Sequence, residues 1–209
     1  FRVAATENTR GEFLSSADAR LITGTITNLY IGISSNSLGT VQLRGQSPAA
    51  SRLLIANSAT IGSSRGTGVL ELYNETVDLT MPGSVSIGVN AAGGRGQMLL
   101  DNTILTGTMA GNLNIAGGNS DANGLVFGEL TGVNNSAVSN LIIGGTLNIA
   151  TGTTNTGRMV LTNNSVAGGV FEVRNTLNVA TGTRASGEPQ LDLSGGRFLW
   201  ATNVNAGFN

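Results

Sequence analysis

The side chains able to do chemistry in this chain are few, and their types narrow the choice. Twelve carboxylates and eleven basic residues, all arginine, are spread over 209 residues, with no histidine, cysteine or lysine. Without His, the commonest general base and the commonest transition-metal ligand are missing. Without Cys, neither a thiolate metal site nor a disulfide framework can form. Without Lys, there is no lysine nucleophile, no Schiff base and no phosphate-loop lysine. Carboxylate chemistry remains. Glu71, Glu75 and Asp78 form the densest acidic group, and Glu71 and Asp101 could meet at the outer surface as a carboxylate pair. Nothing in the spacing sets the geometry that such a pair requires. The expectation is therefore no catalytic site, no transition-metal site and no cofactor.

One segment has oxygen donors at ligand spacing. Asn119-Ser120-Asp121-Ala122-Asn123-Gly124 alternates such residues and closes on Gly, like the first half of a calcium loop. Leu130 stands at the twelfth position, where a bidentate Glu is expected, and Glu129 falls one place short. A structural turn is the simpler reading, with a calcium site on Asn119, Asp121 and Asn123 as the alternative. Asn74-Glu75-Thr76, Asn134-Asn135-Ser136 and Asn163-Asn164-Ser165 match a glycosylation sequon, as chance matches do in so Asn-rich a chain.

What must position these side chains is a repeat. An apolar–polar–apolar–small phrase returns as Leu29-Tyr30-Ile31-Gly32, Val85-Ser86-Ile87-Gly88, Leu113-Asn114-Ile115-Ala116, Leu147-Asn148-Ile149-Ala150 and Leu177-Asn178-Val179-Ala180, with a degenerate copy at Ala59-Thr60-Ile61-Gly62. Its second apolar residue falls at 31, 61, 87, 115, 149 and 179, in steps of 30, 26, 28, 34 and 30. Periods of this size signal a stack of equivalent units. Each repeat divides into three strand-like pieces. In one copy these are 146–150, 158–162 and 170–174, separated by turns rich in Gly, Asn and Ser, with Asn175 turning into the next copy. The second piece is expected to open after a Gly: Gly39, Gly68, Gly96, Gly124, Gly157 and Gly187. Gly128 and Pro189 break this pattern, so distortion or a register shift is expected there.

Period-two alternation points Leu147, Ile149, Met159, Leu161, Phe171 and Val173 inward, and Thr146 and Asn148 outward. Gly punctuates too often for helix, and no apolar face persists at 3.6 residues. The fold expected is all-β: a single-domain β-solenoid of roughly triangular section, three strands per coil, about seven coils, rising about 4.8 Å per coil. An antiparallel β-sandwich is the rival, but its strands would not repeat one sequence three strands apart. Residues 1–27 read as an N-terminal arm or first coil, 28–200 as the solenoid and 201–209 as a C-terminal tail.

Leu147-Asn148-Ile149-Ala150-Thr151-Gly152 and its near-copy Leu177-Asn178-Val179-Ala180-Thr181-Gly182 resemble the repeats of autotransporter passenger domains and the autotransporter-associated β-strand repeats of large bacterial surface proteins. The resemblance covers about residues 28–200 and is one of repeat style. It implies a right-handed β-helix, secretion to the cell surface, and a role in adhesion or surface structure.

Two outward columns follow from stacking: Asn28, Ser84, Asn112, Thr146 and Thr176 in one, and Tyr30, Ser86, Asn114, Asn148 and Asn178 in the other. They read first as structural polar ladders, and alternatively as a sugar- or ice-binding face. A net charge of −1 gives no electrostatic case for nucleic acid or an anionic membrane, and no apolar run is long enough to span a bilayer as a helix. The ends differ. Residues 1–20 hold Arg2, Glu7, Arg10, Glu12, Asp18 and Arg20 beside the apolar Phe1, Val3, Phe13 and Leu14. The last stretch holds Arg197 with Phe198, Leu199, Trp200, Val204 and Phe208. An opening at Phe1-Arg2-Val3 reads as a mature or excised piece. The apolar C-terminal coil reads as cut from a longer solenoid or covered by another chain. The expected function is a structural subunit of an extracellular fibre or surface layer, joined head-to-tail to copies of itself through these apolar residues. An adhesin recognising a glycan or host surface is the alternative, and a polysaccharide-active enzyme a distant third.

Overall fold

The computed structural model describes residues 1–15, 23–89, 93–117, 126–152, 155–161, 170–181, 190–192, 197–200 and 202–207. Among these the chain is all-β with no helix, and every strand pairing is parallel. The strands stack in three columns, and the architecture is a β-solenoid.

The first column, the marker face, carries the repeated phrase. Leu29, Ala59, Val85, Leu113, Leu147, Leu177 and Val204 lie one above another in register. The second is a seven-stranded sheet of Arg10–Leu14, Leu38–Arg44, Thr67–Tyr73, Arg95–Asp101, Val126–Val133, Asn155–Leu161 and Gln190–Asp192, the glycine face. The third face runs through Thr76–Asp78, Ile104–Met109, Ala137–Ile143, Val170–Val173 and Arg197–Trp200. It merges with the marker face in the long strands Thr23–Ile31 and Arg52–Ser63, so the two form one 13-stranded sheet.

The alternation read from sequence holds. Leu147, Ile149, Met159, Leu161, Phe171 and Val173 are all buried, in one continuous core with Leu29, Ile61, Leu70, Ile87 and Ile115. No single coil encloses these side chains; each is covered by its copies above and below. Two further rungs extend the marker face. Val3 pairs with Ile31 at one end, and Ala206 pairs with Val179 at the other.

The glycine column corrects the sequence reading. Gly11, Gly39, Gly68, Gly96, Gly128 and Gly157 are in register, so Gly128 belongs to the column rather than breaking it. Gly124, Gly187 and Pro189 lie outside the described residues. These glycines also sit inside their strands: Leu38–Arg44 starts before Gly39, and Asn155–Leu161 before Gly157. The reason is at the adjoining vertex. The small residue ending each marker phrase takes a left-handed backbone: Gly32 (φ 58°), Gly62 (68°), Gly88 (61°), Ala116 (53°), Ala150 (53°) and Ala180 (54°). That bend brings backbone against the glycine face. A Cβ on Gly39 would lie 2.8 Å from the Gly32 nitrogen, and one on Gly96 would collide with the Ile61 carbonyl and the Gly88 amide. The glycine marks a backbone-to-backbone contact between two faces rather than a turn.

Candidate functional site

The marker face offers a hydrogen-bonded amide ladder. Asn148 Nδ2 donates to Asn114 Oδ1 at 2.8 Å and Asn178 Nδ2 to Asn148 Oδ1 at 2.8 Å. Asn205 continues it onto Asn178 at 2.9 Å, and Asn114 bonds Ser86 Oγ at 3.3 Å. Parallel in-register stacking makes this possible, because identical side chains repeat at the inter-strand spacing. Thr60 and Asn205 join the column by register. In the companion column, Asn28 Oδ1 accepts from Asn57 and Ser58, Ser84 Oγ accepts from the Asn112 backbone amide, and Asn112 Oδ1 from that of Thr146. Most of the amide capacity is thus turned along the rod axis.

The glycine face carries a denser cluster. Glu71 Oε2 accepts from Gln42 Nε2 at 2.6 Å and from the Tyr73 hydroxyl at 3.3 Å. Arg44 lies over the Tyr73 ring, 4.2 Å from its centroid, and its Nε reaches Gln42 Oε1 at 3.3 Å. Asp101 stands opposite Tyr73 in register and accepts from Asn134 Nδ2. Burial raises the Tyr73 pKa, and the Glu71 carboxylate adds to it. A second ladder follows on the same face: Gln97 to Glu129 at 2.9 Å, Arg158 to Glu129 at 3.3 Å, and Arg158 to Gln190 at 3.2 Å. Three arginine–aromatic stacks, Arg2–Tyr30, Arg44–Tyr73 and Arg95–Phe127, each join residues opposite one another on adjacent rungs. The sequence reading missed them, since only the register brings residues some 30 positions apart into pairs.

The acidic group Glu71, Glu75 and Asp78 does not converge. Glu71 faces outward on the glycine face, Glu75 is buried at the next vertex, and Asp78 lies on the third face paired with Arg52. Burial pushes the Asp78 carboxyl up, but bonds from Thr80 and Arg52 outweigh it and hold it below its ordinary value. Glu71 and Asp101 sit on adjacent rungs, Glu71 accepting from Gln42 and Tyr73 and Asp101 from Asn134. Among the described residues no three carboxylates gather as a metal site. The loop holding Asn119, Asp121 and Asn123 lies outside the described residues.

The apolar end residues fall as follows. Phe1 is 44% exposed and Phe13 43%, their rings edge-to-face at 5.1 Å; Leu14 is 57% exposed and Val204 47%. Val3 is half-buried against the core. The backbone of Phe198, Leu199 and Trp200 pairs with Phe171, Glu172 and Val173. Phe208 lies outside the described residues. No protein-family model matches the chain, and no curated protein or solved structure matches it.

Proposed function

We propose that this chain is a structural element of an extracellular bacterial fibre or surface layer, a right-handed β-solenoid of about seven coils that associates head-to-tail with copies of itself. One observation carries the reading. Phe13 stands in register with the fully buried Val41 and Leu70, yet is 43% exposed, with no rung beyond it among the described strands. At the other end Val204 continues the column of Leu177 and is 47% exposed. Arg10–Leu14 and Gln190–Asp192 each pair on one side only among the described strands. Open parallel edges of this kind are templates for strand addition, and a heterologous contact that does not close propagates as a filament. Joining the glycine faces brings Asn203–Ala206 of one copy towards the place that Arg2–Val3 holds in the next. The N-terminal arm then swings out along its neighbour.

Light scattering with size-exclusion chromatography, and electron microscopy of the purified chain, test this. Concentration-dependent filaments are expected. Deleting residues 1–12, or substituting Leu199→Pro with Trp200→Glu, should leave folded monomers. A chain that stays monomeric at high concentration refutes the reading.

A second reading, an adhesin module binding a glycan, is favoured by the Arg44–Tyr73 stack with Gln42, Glu71 and Asp101 on one outer face. Aromatic, amide and carboxylate groups together suit sugar hydroxyls. Monomer binding on a glycan array, lost on Tyr73→Ala, would favour it. We read the chain as neither an enzyme nor a nucleic-acid or membrane-inserting protein. Polyuronate turnover abolished by changing Glu71 or Asp101 would overturn the first of these.

A further inference from the structure

The vertex between the glycine face and the third face is lined on its inner side by a column of buried polar residues. Ser51, Glu75, Thr103 and Ser136 follow one another in register: the Thr76 amide donates to the Ser51 carbonyl, the Ile104 amide to the Glu75 carbonyl, and the Ala137 amide to the Thr103 carbonyl. Three of the four are small hydroxyl residues with bonded side chains. Ser51 Oγ accepts from the Gln46 amide, Thr103 Oγ1 donates to the Leu72 carbonyl, and Ser136 Oγ accepts from the Thr103 amide. Glu75 is different. It is 0% exposed, and among the described residues neither carboxylate oxygen has a hydrogen-bond partner.

The charged and titratable groups on the strands packed around it are engaged by other partners, Asp78 itself being buried. Arg52 pairs with Asp78, Arg44 stacks on Tyr73, Glu71 is held by Gln42 and Tyr73, and Asp101 by Asn134. None of them compensates a charge at Glu75, and burial alone pushes its carboxyl up to about 7. A neutral acid can stay in this column, whereas an unpaired buried carboxylate is strongly favoured to reach water.

The geometry points to Glu75 as a proton-operated latch: protonated, it lets the vertex close; deprotonated, it drives local opening of residues 72–78 and of the rung above at 101–106. Such opening requires only that the short strand Thr76–Asp78 lift away, while the long strands below stay paired.

Hydrogen exchange by mass spectrometry on the intact chain tests this, with rates corrected for intrinsic chemistry. For an open-state value near 4.5 and a closed-state value of about 7, the opening constant rises about 30-fold between about pH 5.5 and about pH 8.5. That acceleration is expected in peptides covering 72–78 and 101–106, and not in one covering 147–149. In Glu75→Gln it should vanish. If that variant fails to fold, Glu75→Met, apolar and of similar size, should show the same flat profile. Acceleration that persists in either variant, that is missing from the wild type, or that spreads equally to 147–149 overturns the proposal.

Discussion

Leu147 and Asn148 are adjacent in the chain and point opposite ways, so truncating each in turn reads the register directly. Leu147 is fully buried between Leu113 and Leu177. Leu147→Ala removes three carbon atoms from a dry column, about 2.4 kcal/mol at about 0.8 kcal/mol each. The cavity left behind adds to this, because the rungs above and below are held by their own ladders and cannot collapse onto it; the total falls within about 2–5 kcal/mol. Asn148→Ala removes one bond given to Asn114 and one accepted from Asn178, both at 2.8 Å. The side chain is half-buried, so water replaces much of what is lost, and the net effect is about 1 kcal/mol. Urea unfolding followed by far-ultraviolet circular dichroism measures both, with the midpoint falling and the slope unchanged. If Asn148→Ala destabilises more than Leu147→Ala, or if Leu147→Ala falls below about 1 kcal/mol, the assignment of inner and outer columns is wrong.

The vertex contact predicts that Gly96→Ala, whose methyl would collide with two backbone atoms, destabilises by more than about 3 kcal/mol. Gly207→Ala, whose methyl would meet the Ala180 carbonyl at 3.4 Å, should change stability by less than about 0.5 kcal/mol in the same assay. Asp78 predicts acid sensitivity. Because its carboxyl is held below the unfolded value, its contribution is complete above that value and is lost as the pH falls through the folded one. Asp78→Asn should therefore flatten the acid limb of the stability profile in thermal melts from about pH 5 downward. Glu75 acts in the opposite sense: its raised carboxyl favours the fold at acid pH and loses that contribution as the pH rises towards about 7. Glu75→Gln should remove that decline, a difference visible in the same melts.

The sequence by itself determined which side chains point inward and how the chain repeats. Leu29, Ile31, Leu147 and Ile149 alternate with polar residues at a period of two, and only stacked strands satisfy that alternation together with a repeat near 30 residues. It also contained, unread, the outermost copies of the phrase: Arg2-Val3-Ala4, and Val204-Asn205-Ala206 before Gly207. What only the tertiary structure decided depends on register across turns of unequal length. The step from Ile115 to Ile149 is 34 residues and that from Ile61 to Ile87 is 26, so counting along the chain cannot say which glycine faces Gly96. The stack selects Gly128, because only a residue without a Cβ fits against the Ala116 vertex. Register likewise separates three carboxylates that are neighbours in sequence. Glu71 is placed at the outer surface with Gln42, Asp78 beside Arg52, and Glu75 at the inner side of a vertex with no partner among the described residues. A carboxylate's chemistry is set by its dielectric surroundings and its partners, and here those come from residues a full coil away.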